Sequence, residues 1–251
     1  MNSARELFRN GLRLLKCGHI QRVTELASAA VRDFPDEGSL WELLGVAYQR
    51  NAQSAEAVHA LETASLLKPL DIGARFCLAE AYAATGSHEL AVFVYRMVSE
   101  DPRSPVWLLP KVASHLGELR EFEHALDVCQ TIVERDAERH EAHFGIGFYR
   151  RRLGAPTERV IAAIQQAFEL APESNLYRVV LASLFQEMGR HDDAYELLRQ
   201  IPLSSVNCPH SLRRMLTVFH TASDMQRVLD CSRCLRRIEN ELPPTTSEGT
   251  E

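Results

Sequence analysis

Nowhere in the 251 residues does an uncharged apolar run approach the roughly 18 residues that a membrane-spanning helix needs, so no direct membrane insertion is expected. The opening stretch, MNSARELFRNGLRLLKCGHI, carries a charge every few residues. It lacks the apolar run of about 7–15 residues and the small-residue cleavage site of a secretory signal. No lipid-accepting cysteine or glycine follows the first methionine. These absences place the expected location in the cytoplasm. Cysteine is sparse, and the six residues (Cys17, Cys77, Cys129, Cys208, Cys231 and Cys234) are scattered, which predicts reduced thiols rather than a disulfide framework. Positive charge is not in excess either: 28 basic against 34 acidic side chains give a formal net charge of −6. That balance argues against nonspecific affinity for nucleic acid. Nucleic-acid binding needs a basic stripe with stacking aromatics, and the short runs at Arg150 to Arg152, Arg213-Arg214 and Arg236-Arg237 supply charge in the C-terminal half only, so no nucleic-acid partner is expected.

Catalytic patterns are missing as well. A phosphate loop needs a glycine-rich turn followed by Lys and Ser or Thr, and no GKS or GKT exists; Gly145-Ile-Gly147 lacks a third glycine. His140-Glu141-Ala142-His143 is one residue shorter than a zinc-protease motif and has no third ligand nearby in sequence. No Ser/His/Asp or Cys/His set converges, so neither enzymatic activity nor a cofactor is expected. Cys231-Ser-Arg-Cys234 is the local arrangement that keeps a metal in view. Its two thiols share a helical face and, with His210 and Cys208, could form a zinc site. The competing reading packs Cys231 and Cys234 beside Val228, Leu235 and Ile238 as ordinary apolar core, and is preferred.

What is present is a globular composition, 45% apolar and 25% charged, with a fixed internal period. Gly11, Gly45, Ala79, Ala113, Gly147, Ala182 and Leu216 are spaced by 34, 34, 34, 34, 35 and 34 residues. A second small or short series runs Val23, Ala57, Ala91, Ala125, Val160, Ala194 and Val228. A third runs Ala30, Ala64, Val98, Ile132, Ala167, Ile201 and Leu235. Small side chains at such points let helices approach closely. Larger residues, Leu14, Tyr48, Tyr82, Leu116, Phe185 and Phe219, fill the space between them. Gly18, Gly86, Gly154 and Gly189 mark turns inside helical pairs, and Pro35, Pro69, Pro102 and Pro172 precede the next pair.

In the second unit, Trp41, Leu44, Gly45, Tyr48, Ala57, Leu61, Ala64 and Pro69 match the pattern W-x2-L-G-x2-Y…A-x3-F-x2-A…P, with Leu61 at the phenylalanine site. The chain therefore resembles the tetratricopeptide-repeat (TPR) family. The resemblance implies an all-α, right-handed superhelical solenoid of about seven hairpins. Units are expected at about 4–37, 38–71, 72–105, 106–139, 140–174, 175–208 and 209–241, forming one domain over 1–241 before a Pro/Thr/Glu-rich tail at 242–251 that is expected to be disordered. Pro110 predicts that the first helix of the fourth unit is kinked or starts late. Arg150 at the large-apolar site, with Tyr149 one residue early, leaves the register of the fifth unit open. The polar, divergent seventh unit reads as a cap.

The resemblance further implies that the first helix of each pair lines a concave groove for a partner peptide or helix. Carried over residue by residue, the groove holds Phe8, Phe76, Trp107, Phe144, Phe148, Arg151, Arg152 and Arg213, an aromatic surface with guanidinium groups beside it. Residues Phe8, Leu12, Leu43, Gly73 and Cys77 stand where the family's chaperone-binding branch has its clamp of Lys, Asn and Arg, so binding of that style is not expected. The expected role is a non-enzymatic scaffold or adaptor for a protein partner. The competing expectation is a homo-oligomeric platform that self-associates through its ends or convex face.

Overall fold

The structure, a computed structural model, describes residues 3–241; the tail at 242–251 lies outside the described residues. Among the described residues the chain forms fourteen α-helices and a 3-10 turn at Leu203–Ser205, with no strand. The helices follow in pairs: α1 (Ala4–Lys16) with α2 (Ile20–Asp33), α3 (Gly38–Arg50) with α4 (Ser54–Leu67), α5 (Ile72–Ala84) with α6 (His88–Glu100), and α7 (Leu109–Glu118) with α8 (Phe122–Arg135). Then come α9 (His140–Arg152) with α10 (Thr157–Leu170), α11 (Asn175–Glu187) with α12 (His191–Leu198), and α13 (Pro209–Thr221) with α14 (Met225–Glu241). Two compact units divide within α8, at Ile132 and Val133.

In the first unit α1 packs on α2, α3 on α4 and α5 on α6, and successive pairs meet where α2 packs on α3, α4 on α5 and α6 on α7. The small positions are where this packing is tightest. A Cβ on Gly45 would lie 2.5 Å from Leu61 Cγ across the α3/α4 pair, and one on Gly11 would lie 2.2 Å from Leu43 Cδ2 in the next pair. Ala57, Ala64, Ala79 and Ala91 are fully buried. The larger side chains tie successive pairs through their hydroxyls: Tyr82 donates to Glu62 Oε1 at 2.7 Å, and Tyr48 lies 3.4 Å from Ser28 Oγ one unit earlier. Both pairs are separated by 20 residues, so the contact recurs with the period.

The second unit repeats the scheme. A Cβ on Gly147 would stand 2.5 Å from Ile164 Cδ1, which fixes the α9/α10 contact and settles the register that the sequence leaves open. Tyr149 is buried, and Arg150 Nη1 donates to the Arg159 carbonyl at 3.4 Å. The core gathers Ile164, Leu184, Leu198, Ile201, Leu212 and Phe219. Helix α12 has only 8 residues, and Arg227 of α14 closes its end. Arg227 Nη2 donates to the carbonyls of Leu198, Arg199 and Ile201 at 3.1, 2.8 and 2.9 Å, while its guanidinium lies 5.0 Å from the Phe219 ring centre. Carbonyls at a helix end otherwise lack intrahelical donors, so one side chain completes the hydrogen bonding that the short helix leaves open.

Every turn inside a pair contains one residue in the left-handed region: Gly18, Ala52, Gly86, Arg120, Gly154, Gly189 and Ser223. By subtraction they stand 34 residues apart, except 35 between Gly154 and Gly189, so the backbone keeps the period even where glycine is replaced. The fourth pair resolves the alternative set by Pro110: α7 starts late, at Leu109, and the proline sits in its first turn, where a missing N–H costs nothing. The segment before it is irregular, and Trp107 lies there rather than on a groove-lining helix.

Candidate functional site

The aromatic and basic residues expected on one surface fall into different environments. Phe8 is half-buried against the core around Leu40 and Leu43. Phe76 is buried at 7% exposure, edge-on to Tyr95 at 5.8 Å, and so belongs to the packing of the first unit, not to an open surface. Trp107 is 64% exposed, but on the segment preceding α7. Arg213 turns to α14 and donates to Glu239 Oε1 at 2.6 Å. The residues expected to share one groove surface therefore differ in setting: Phe76 is covered and Trp107 lies off the helix, because contacts beyond a single helix decide exposure.

Phe144, Phe148, Arg151 and Arg152 do come together. They line a cavity of about 730 Å³ in the second unit, built between α9, α10, α11 and the start of α13. At positions i, i+4, i+7 and i+8 of a 3.6-residue helix they share one face of α9. Phe144 stacks on Tyr177 at 4.9 Å and is half-buried. Phe148 is 42% exposed, edge-on to Tyr149 at 5.2 Å, with the Arg152 guanidinium 5.2 Å from its ring centre. The opposite wall adds Leu176, exposed at 47%, together with Val180 and Ser183 of α11. Exposed apolar surface in a concavity is the usual makeup of a binding site.

The polar rim is more basic than acidic. Arg151 pairs with Glu187 of α11 through two hydrogen bonds, both of 2.9 Å. Arg152 and Arg214 add cations, with Glu187 as the carboxylate of the lining. Cys208, His210 and Ser211, at the N-terminus of α13, complete the wall. The first N–H groups of α13 and the positive end of its dipole lie at that side. Their effect shows on Cys208, whose thiol is drawn below its usual pKa, chiefly by the Ser211 backbone N–H. Sequence reasoning found the α9 residues but missed Leu176, Val180, Cys208 and Arg214, which come from other pairs.

The arrangement weighed as a zinc site is not assembled. Cys231 is fully buried and donates its thiol hydrogen to the Leu212 carbonyl at 3.3 Å, and burial pushes its pKa up to about 11. Among the described residues no group of three or more His, Cys, Asp or Glu side chains is placed to hold one ion. His140 and His143 also diverge: His140 Nδ1 lies 2.8 Å from the Tyr177 hydroxyl, while His143 Nε2 is 2.9 Å from the Ala137 carbonyl. Among the described residues no helix is long and apolar enough to cross a membrane.

Antiparallel helix pairs on a 34-residue period, with small residues at the crossings and a left-handed residue at each internal turn, are the architecture of the tetratricopeptide-repeat class. A sequence model of the tetratricopeptide repeat matches residues 44–105. Tetratricopeptide repeat protein 37 of Xenopus laevis is 26% identical over 190 residues, covering 73% of this chain. The chain spans only 12% of that relative's length. The C-terminal part of a TPR repeat-containing protein from Cytophaga hutchinsonii aligns with a TM-score of 0.72 at 11% identity, covering 96% of each chain. YrrB, described as a TPR protein with an unusual peptide-binding site, aligns with a TM-score of 0.59 at 14% identity, over 70% of this chain and 90% of its own. At these identities the solved structures speak to the fold.

Proposed function

We propose that the chain is a non-enzymatic scaffold that holds a partner protein, and that the groove of the second unit receives a segment bearing apolar anchors and carboxylates. The repeat fold supports protein interaction in general, and YrrB is described as having a peptide-binding site. The observation that carries the finer reading is the pairing of exposed apolar walls, Phe148 and Leu176, with a basic rim of Arg152, Arg214 and the α13 N-terminus. An acidic segment with a large apolar side chain matches both properties, since guanidinium groups bind carboxylates with directed, charge-assisted hydrogen bonds. Affinity capture from native cells, with the chain and its Phe148→Ala and Arg152→Glu/Arg214→Glu variants as bait, tests this. Loss of the same partner from both variants, with unchanged circular dichroism, is the expected result. Undiminished capture by folded variants would move binding to another surface.

A second reading, self-association through an outer helix, is favoured by Leu90, Phe93 and Met97 of α6, exposed at 49, 61 and 41%. Spaced i, i+3 and i+7, they form one apolar stripe. Light scattering over a range of concentrations separates the readings: a concentration-independent monomer removes the second.

A further inference from the structure

The first unit contains another cavity, of about 460 Å³, whose chemistry is opposite to that of the groove. It is lined by Gln49 of α3, Glu80 of α5, His88 and Tyr95 of α6, and His115 and Glu118 of α7. Ala83, Ala84 and Leu119 complete it. Three helices, α3, α5 and α7, bring their last turns to this place. Each helix ends here in the negative pole of its dipole, so the backbone adds negative potential to the cavity. Two carboxylates add to it. His115 spans them, with Nε2 3.4 Å from Glu80 Oε1 and Nδ1 3.2 Å from Glu118 Oε2, so one imidazole serves two acids. The cations acting on the neighbouring Cys77, Arg50 and Lys111, are not among the lining residues.

An acidic cluster of this kind is common on helix surfaces and carries no site by itself. What distinguishes this one is a buried polar group without a partner. Tyr95 is fully buried, stacked on His115 with ring centres 5.5 Å apart and planes 7° from parallel, yet its hydroxyl makes no hydrogen bond within the protein. Tyr95 lines the cavity together with Glu80 and Glu118, and after burial itself these carboxylates help to raise the pKa of its hydroxyl. Gln49 Oε1, a pure acceptor, is likewise buried and unpaired. Leaving such atoms unmet costs free energy, and exceptions to the rule of satisfied buried polar groups call for a partner.

We infer that this cavity is a receptor for a guanidinium group, the side chain of an arginine in a partner peptide. The open valences are acceptors that line one concavity: the carboxylates of Glu80 and Glu118, Gln49 Oε1 and the Tyr95 oxygen. A planar fork of five N–H donors satisfies several acceptors at once, and its flat face stacks on rings, here the partly exposed His115. An ammonium group is a compact point charge and matches this spread of acceptors less well. The site lies wholly within the first unit and does not depend on the reading given to the groove of the second.

The test uses the full chain, isotope-labelled, with acetyl-Gly-Arg-Gly amide as probe and acetyl-Gly-citrulline-Gly amide, its uncharged near-isostere, as comparison. Saturable NMR shifts at Ala83, His115 and Leu119 are expected with the arginine peptide, with citrulline binding about tenfold or more weakly because the charge-assisted hydrogen bonds are lost. Glu80→Gln and Tyr95→Phe each remove a proposed contact while preserving shape, and both are expected to weaken the arginine peptide in a chain that stays folded by circular dichroism. Phe148→Ala, in the other unit, is expected to bind it as the parent chain does. Equal binding of the two peptides, shifts that do not saturate, indifference to Glu80→Gln or loss of binding in Phe148→Ala would each overturn the assignment.

Discussion

Arg151 of α9 and Glu187 of α11 hold each other through two parallel hydrogen bonds across 36 residues of sequence. The pair joins consecutive helical pairs, and it also occupies the guanidinium that would otherwise face the groove. Because both side chains are about half exposed, the pair itself contributes only about 0–1 kcal/mol to stability. Replacing Glu187 with Ala is therefore expected to leave the melting temperature nearly unchanged while releasing Arg151 for an acidic ligand. The tetrapeptide acetyl-Asp-Leu-Glu-Phe amide, titrated by calorimetry, is expected to bind Glu187→Ala several-fold more tightly than the parent chain. Unchanged or weaker binding would show that Arg151 does not face the ligand.

The two groove phenylalanines are expected to separate in their effects. Phe148, 42% exposed, is expected to cost about 1 kcal/mol of folding stability or less when changed to Ala, while weakening the partner. Phe144, stacked on Tyr177, is expected to cost about 1.5 kcal/mol or more. Urea unfolding of both variants measures the difference, and equal losses would contradict the environments described.

The left-handed turn residues give a third prediction. Ala52 adopts φ 58° and Gly86, at the equivalent place, φ 81°. A side chain in this region is strained, and glycine relieves the strain at an entropic cost smaller than the relief. Ala52→Gly is expected to stabilise the chain by about 1 kcal/mol, and Gly86→Ala to destabilise it by about the same amount. Thermal unfolding reads both signs, and a destabilising Ala52→Gly would refute the account.

Stability is also expected to depend on pH through His115, whose pKa is raised chiefly by its hydrogen bond to Glu80. A histidine with a folded pKa above its unfolded value contributes stability that is complete below about pH 6.5 and is lost as pH rises through the folded value. The parent chain is therefore expected to melt at a higher temperature near about pH 6 than near about pH 8, and His115→Gln to reduce that difference. An NMR titration of the imidazole checks the premise directly.

The hairpins were legible because their determinants are local. Small residues on a 34-residue period, turn glycines and the proline at position 110 each act within a few residues of themselves. The site was legible only in part, since exposure on a first helix is set by whatever the next pair lays over it. Phe76 and Phe144 occupy equivalent first helices, yet one is covered by Tyr95 and His115 while the other meets Tyr177 at the edge of a cavity. Partners such as Glu187 for Arg151 or Glu239 for Arg213 lie 36 and 26 residues away, and no spacing rule of a single helix reaches them. Arg120 and Ser223 likewise hid their turn geometry, because nothing in the side chain announces a positive φ.

The recurrence of that left-handed residue makes the joints of the molecule interchangeable. A chain spliced to omit residues 53–86 would pass from α3 through the same kind of turn into α6, with Ala52 standing where Gly86 stood. Length in such a protein is a modular quantity, open to gain or loss by whole repeats through recombination, whereas a closed barrel must keep strand number, shear and tilt mutually consistent.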